Sequence, residues 1–139
     1  MSAPGDEVAR RNRSIVAGIY AAANRGDLEY IRSAFHPDIV LHQAPSLPYG
    51  GEYRGRDATM ATITAMFVEH LEVGGLTVRN IAVDGDVVIG CVDMTARARC
   101  TGKDVSMPFR ECFLLRDGLV VDLRPFYYDT AALAEGFRR

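Results

Sequence analysis

From Val8 to Asn24 the apolar positions Val8, Ile15, Val16, Ile19, Tyr20 and Ala23 recur at the spacing of one helical face, and Gly26 supplies a stop. Residues 1–7 precede this pattern and read as a flexible tail, with a single domain over 8–139. Asp27 reads as the N-cap of a second, short helix with Leu28, Ile31, Ala34 and Phe35 on its apolar face. His36-Pro37 ends it, because the residue before a proline is pushed out of the helical region. Ile39 to Gln43 reads as a short strand, and the Gly- and Pro-rich stretch Ala44 to Gly55 as a loop. A third helix is expected over Arg56 to Glu72, with Met60, Ile63, Met66, Phe67 and Leu71 on one side and Gly74-Gly75 closing it.

After Gly75 the period changes from helical to two. Leu76–Val83, Val87–Cys100, Val105–Arg116 and Leu119–Tyr128 read as strands, separated by Asp84-Gly85-Asp86, Thr101 to Asp104, and Asp117-Gly118. In the second of these, Val88, Val92, Met94, Ala96 and Ala98 make one apolar face, while Asp93, Thr95, Arg97 and Arg99 lie on the other. Such alternation suits a sheet with a core on one side and water, or a second subunit, on the other. A short C-terminal helix follows Asp129 and runs through Ala134. Helices first and a meander afterwards give an α+β fold.

Composition narrows the function. A formal net charge of −2 gives no reason to expect nucleic acid or an anionic membrane as partner, and no apolar run approaches a membrane span. The N-terminal residues hold no apolar core of a secretory signal. The 3 cysteines, Cys91, Cys100 and Cys112, form no C-x-x-C pair, which fits reduced thiols in a cytoplasmic compartment. No H-x-H, H-x-x-x-H or C-x-x-C offers a metal set, and no G-x-G-x-x-G, Walker loop or G-x-S-x-G points to a nucleotide or a nucleophile elbow. Neither metal nor cofactor is expected.

Three stretches carry a family likeness: IYAAANRGDLEYIRSAFHPDIVLHQAP from Ile19, GGEYRGRDA from Gly50, and RECFLLRDGLVVDLRPFYYD from Arg110. Together they resemble a SnoaL-like domain of the nuclear-transport-factor-2-like superfamily. That group includes ketosteroid isomerase, scytalone dehydratase, limonene epoxide hydrolase and polyketide cyclases. The resemblance implies a cone-shaped α+β barrel: a strongly bent mixed or antiparallel sheet wrapped around the three N-terminal helices, with a deep apolar pocket and, in many relatives, a homodimer through the sheet. Its motifs speak to fold more than to reaction.

Ketosteroid isomerase keeps a carboxylic acid protonated in an apolar site so that it can donate a hydrogen bond. By resemblance that acid falls on Glu111, a carboxylate in an otherwise apolar strand beside Phe109, Cys112 and Phe113. Two readings stand for Glu111. It faces the pocket, where desolvation raises its pKa, or it faces outward in a salt bridge to Arg97 or Arg99. The isomerase's base falls on Gln43, which takes no proton, and its oxyanion-hole tyrosine on Ile19, with Tyr20 pointing about 100° away. The cyclases' last-strand acid falls near Pro125, with Asp122 and Arg124 on the opposite face. Classical steroid isomerisation is therefore not expected.

His42 is the candidate general base, since imidazole titrates near neutrality; a histidine bonded to the neighbouring loop is the alternative. Strict alternation lets only one of His42 and Gln43 look into the cone. Gln43, Tyr20, Tyr49, Tyr53, Phe67, Phe109, Phe113 and Tyr127 are the candidate substrate-binding residues. Three functions remain open. The first is cofactor-independent isomerase, cyclase or dehydratase (lyase) chemistry on a polyketide-, steroid- or terpenoid-like molecule, with Glu111 and His42 catalytic. The others are a non-catalytic small-molecule-binding protein and a dimeric scaffold with a filled pocket.

Overall fold

The computed structural model describes residues 4–139. The first helix, α1 (Pro4–Arg25), starts earlier than its apolar periodicity, so residues 4–7 are helical and only residues 1–3 of the expected tail lie outside the described ones. Gly26, at φ +72°, ends it in the left-handed region. The Asp27 carboxylate accepts the Tyr30 amide at 3.0 Å and opens α2 (Leu28–Ser33).

Strand β1 (Phe35–Gln43) begins four residues before the expected start. Pro37 does not mark a helix end; it lies where the β1 register shifts between Phe35 and Val40, a bulge that tolerates the missing amide. The loop that follows contains a short strand, β2 (Gly51–Arg54), paired antiparallel with β1.

Helix α3 (Arg56–Ala65) passes into a π-helical turn, Met66–His70, and β3 (Leu71–Asp84) starts at once. The helix therefore stops short of Glu72. Gly74-Gly75 is not its terminator but a bulge inside β3, where the register shifts between Val73 and Gly75. Arg99 secures the turn: its Nε and Nη2 donate to the Phe67 carbonyl at 3.1 and 2.7 Å.

The meander continues through β4 (Val87–Ala98), β5 (Met107–Arg116) and β6 (Leu119–Tyr127), and α4 (Thr130–Gly136) closes the described chain. The Asp117-Gly118 turn has φ +51° and +80°, both positive as a tight hairpin turn of this kind requires. Sheet order is β2-β1-β6-β5-β4-β3. The β1–β6 pair is parallel and the other pairs antiparallel, so the sheet is mixed. The fold is α+β, a bent sheet carrying helices against its inner face.

The inner residues of β4 are those expected from period two: Val88, Val92, Met94, Ala96 and Ala98 are all buried. They join Val16, Ile19 and Tyr20 of α1 and Phe113, Leu115, Val120 and Leu123 of β5 and β6 in one core. Among the described residues no helix is long and apolar enough to cross a membrane.

Candidate functional site

Alternation along β5 turns Phe109, Glu111 and Phe113 to the same face. On the inner side of the sheet they meet Ile19, Tyr20 and Ala23 of α1, and between them lies a chamber. Gln43, Met66, Phe67, Pro125 and Tyr127 complete much of its wall. About 90 Å³ of it is open to the centre of a water-sized sphere. In that measure one water needs on the order of 10–15 Å³, so the chamber suits a molecule of roughly ten non-hydrogen atoms or fewer. A filled cone is thereby ruled out.

Glu111 faces inward. Its Oε1 accepts a hydrogen bond from the Tyr20 hydroxyl at 2.9 Å. The outward alternative fails on geometry: Arg97 donates to the Gly102 carbonyl and Arg99 to that of Phe67. Glu111 keeps a little accessible surface, and that surface is chamber wall. Burial pushes its pKa from an ordinary 4.5 up to about 7, with the Tyr20 hydrogen bond pulling the other way. Burial, and then the Glu111 charge, push the Tyr20 phenol far above its usual range, so it stays protonated and donates.

Tyr20 is better placed than the single-residue offset from Ile19 implies. Both residues line the chamber, because a helix packed in a concave sheet presents a wide face to it. Room for the Tyr20 ring comes from Gly90, an inward position of β4 that pairs with Glu111 in the ladder. The sequence signal was present: Gly90 interrupts the inward run of Val88, Val92 and Met94 with a residue that has no side chain.

A second polar pair sits elsewhere on the wall. The Tyr127 hydroxyl donates to Gln43 Oε1 at 3.2 Å, and Gln43 Nε2 donates to the Met66 sulfur at 3.3 Å. Burial drives the Tyr127 phenol well above its ordinary pKa. Phe67, Phe109 and Phe113 line the chamber as expected, and Phe113 meets Tyr20 edge-to-face at 5.9 Å between ring centres.

Two expected binding residues do not reach it. Tyr53 lies outside, its hydroxyl donating to the Tyr49 and Gly50 carbonyls at 3.0 Å each, which staples the loop before β2. Tyr49 is buried behind the wall against His70 and Phe137, at 5.5 and 6.0 Å. Its hydroxyl has no hydrogen-bond partner among the described residues, yet lies near enough to Tyr127 for each phenol to perturb the other. Burial pushes the Tyr49 phenol up to about 12.

His42 is not brought to Glu111. Alternation along β1 turns Gln43 into the chamber and His42 to the outer side, where its Nε2 meets Asp122 Oδ1 at 2.8 Å and its Nδ1 lies 4.0 Å from Glu52. His42 lines an outer groove with Glu52, Arg124 and Phe126, which shares only Gln43, Pro125 and Tyr127 with the chamber wall. Its partner is therefore Asp122, and Asp122 and Arg124 are outward as expected. Residues that sequence reasoning did not select include Met66 and Met94, which period two and helical spacing mark only as core. Among the described residues no group of His, Cys, Asp and Glu could hold a metal ion.

Comparison with known proteins extends the picture. A protein named Bal32a, from a soil-derived mobile gene cassette, is 26% identical over 94% of this chain and 99% of its own, with a TM-score of 0.84. An NTF2-like protein of unknown function from Burkholderia pseudomallei is 22% identical over 93% and 98%, with a TM-score of 0.84. A hypothetical protein of ketosteroid isomerase-like fold from Catenulispora acidiphila, solved in complex with trimethylamine, is 16% identical over 88% and 91%, with a TM-score of 0.72. No curated protein gives a significant match. The SnoaL-like domain family matches residues 16–123, and with most of its length so covered the chain belongs to that family.

Proposed function

We propose that this protein binds a small, apolar, oxygen-bearing molecule in the chamber and that Glu111 carries out cofactor-independent acid–base chemistry on it. One observation carries the reading: a carboxyl titrating near neutrality sits on the wall of an apolar chamber, one oxygen held by Tyr20 and the other without a hydrogen-bond partner among the described residues. In its neutral form Glu111 donates from that second oxygen to a ligand carbonyl. In its ionised form it accepts a proton from the carbon beside that carbonyl. Tyr20 is a positioning residue that holds the carboxyl toward the cavity. Isomerisation, cyclisation and dehydration share this proton-transfer step, and the neighbour of ketosteroid isomerase-like fold solved in complex with trimethylamine, a small organic molecule, supports the reading. The chamber's size supports a single ring or short chain rather than a fused polycycle.

The second reading, a non-catalytic binder, is favoured by one feature. Glu111 is the single carboxylate, and no Lys, Arg, His or Cys accompanies it, among the residues lining the chamber. The two readings separate in deuterium oxide. Under the enzymatic reading, cyclopentanone exchanges its α-hydrogens faster with wild type than with Glu111→Gln; equal rates leave the binder.

The outer face of the sheet fits a partner as well. Ile89, Leu114 and Phe126 are exposed there beside Asp122 and Arg124, a mixed surface that suits a second copy of this chain. A solution mass of one chain would end that proposal.

A further inference from the structure

The wall chemistry of the chamber is one-sided. Its lining contains no lysine, arginine or histidine, and its one carboxyl is Glu111. Glu111 Oε1 has the Tyr20 hydroxyl, but Oε2 has no hydrogen-bond partner among the described residues. The same chamber is lined by the rings of Tyr20, Phe67, Phe109, Phe113 and Tyr127 and the thioethers of Met66 and Met94. An ionised carboxylate in such surroundings has a single donor and no counter-charge, which is a costly arrangement.

From this juxtaposition we infer that the chamber takes a second ligand class, a small tertiary or secondary amine bound as its ammonium ion, with Glu111 as counter-ion and the aromatic rings around the alkyl groups. The inference rests on the reading of the chamber as a ligand site and adds the charge of the ligand to it. An N–H of the ammonium meets Oε2, the positive charge offsets the desolvated carboxylate, and the polarised N-alkyl groups pack on ring faces. A neutral ketone is the complement of the other protonation state, because it needs a proton on Oε2.

The titratable groups facing Glu111 are few. Tyr20 comes from α1 and Tyr127 from β6, and the Cys91 thiol of β4 lies near Tyr20. Burial keeps both phenols protonated through the neutral range. When an ammonium binds to the neutral carboxyl, the Glu111 proton leaves to solvent and the carboxylate–ammonium pair remains. When a ketone binds to the ionised form, a proton is taken up. The same side chain thus selects opposite ligands on the two sides of its titration.

The test compares two probes of similar size, N-methylpyrrolidine and cyclopentanone, by isothermal titration with wild type and Glu111→Gln. Between about pH 6 and about pH 8 a carboxyl titrating near 7 goes from roughly one-tenth to roughly nine-tenths ionised, so amine affinity rises about tenfold and ketone affinity falls about tenfold. Glu111→Gln removes both trends and weakens the amine about tenfold or more at the higher pH, while still binding the ketone through its amide N–H. Amine affinity that stays flat with pH, or that survives Glu111→Gln, overturns the inference. If the ketone still binds in that case, the chamber reading stands without it. If neither probe binds, both fall.

Discussion

Gly90 lies directly beneath the Tyr20 ring: a Cβ added to it would sit 2.1 Å from the Tyr20 hydroxyl oxygen and 2.7 Å from two of the ring carbons, Cε2 and Cζ. No side chain fits there while Tyr20 reaches Glu111. The absence of a side chain on β4 is thus what lets a helix residue meet a carboxyl on β5.

Gly90→Ala should therefore displace Tyr20 and break its 2.9 Å bond to Glu111. Overpacking of this kind costs about 1–3 kcal/mol. Urea denaturation should show that loss, and a variant as stable as wild type would mean that the ring moves aside freely.

Tyr20→Phe keeps the ring and deletes the donor. The Tyr20 hydrogen bond is what lowers the Glu111 pKa against the larger effect of burial, so its loss should raise the Glu111 midpoint above the wild-type value. A carboxyl-carbon titration reads this directly, and an unchanged midpoint would remove Tyr20 from its positioning role.

Glu111 also makes stability depend on pH. Its folded pKa of about 7 lies above the ordinary 4.5, so the folded state holds the extra proton between these values. The contribution is fully present below the unfolded pKa and is lost as pH rises through the folded one. The loss is on the order of 3 kcal/mol. Glu111→Gln should be nearly flat across that window, so it should gain on wild type as pH rises from about 4.5 to about 7 and hold a constant difference above that. Parallel pH–stability curves for the two proteins would contradict the buried position of the carboxyl.

His42→Ala should leave cyclopentanone affinity in the chamber unchanged, since His42 lies on the outer side with Asp122. A partly exposed pair of this type contributes about 0–1 kcal/mol, so the stability loss should be small. A fall in ligand affinity of more than about tenfold, which is 1.4 kcal/mol, would return His42 to the site.

Period two made the sheet legible: it put Glu111 on one face with Phe109 and Phe113, and His42 and Gln43 on opposite faces. Which face looks into the chamber came only with the packing of α1 and the Asp122 partner of His42. Parity is local and survives bending. What failed were residues with two physical meanings. Pro37 and Gly74-Gly75 read as helix ends, whereas a strand takes them at bulges, a choice made by pairing partners distant in sequence. Tyr49 lies in the loop before β2 and Tyr53 in β2 itself, and their directions depend on the Tyr53 staple to that loop's backbone carbonyls. Tyr20 went the other way: only the packing of α1 over Gly90 shows how it reaches Glu111. Chamber size was not legible at all, because it is what remains after Met66, Phe67 and Met94 have packed.

The most direct test is a carbon-13 NMR titration of the Glu111 side-chain carboxyl, without ligand and with saturating cyclopentanone. A desolvated acid that donates to the ligand should titrate near 7 when free and higher when the ketone is bound. A midpoint near the ordinary 4.5, unmoved by the ketone, would contradict the account.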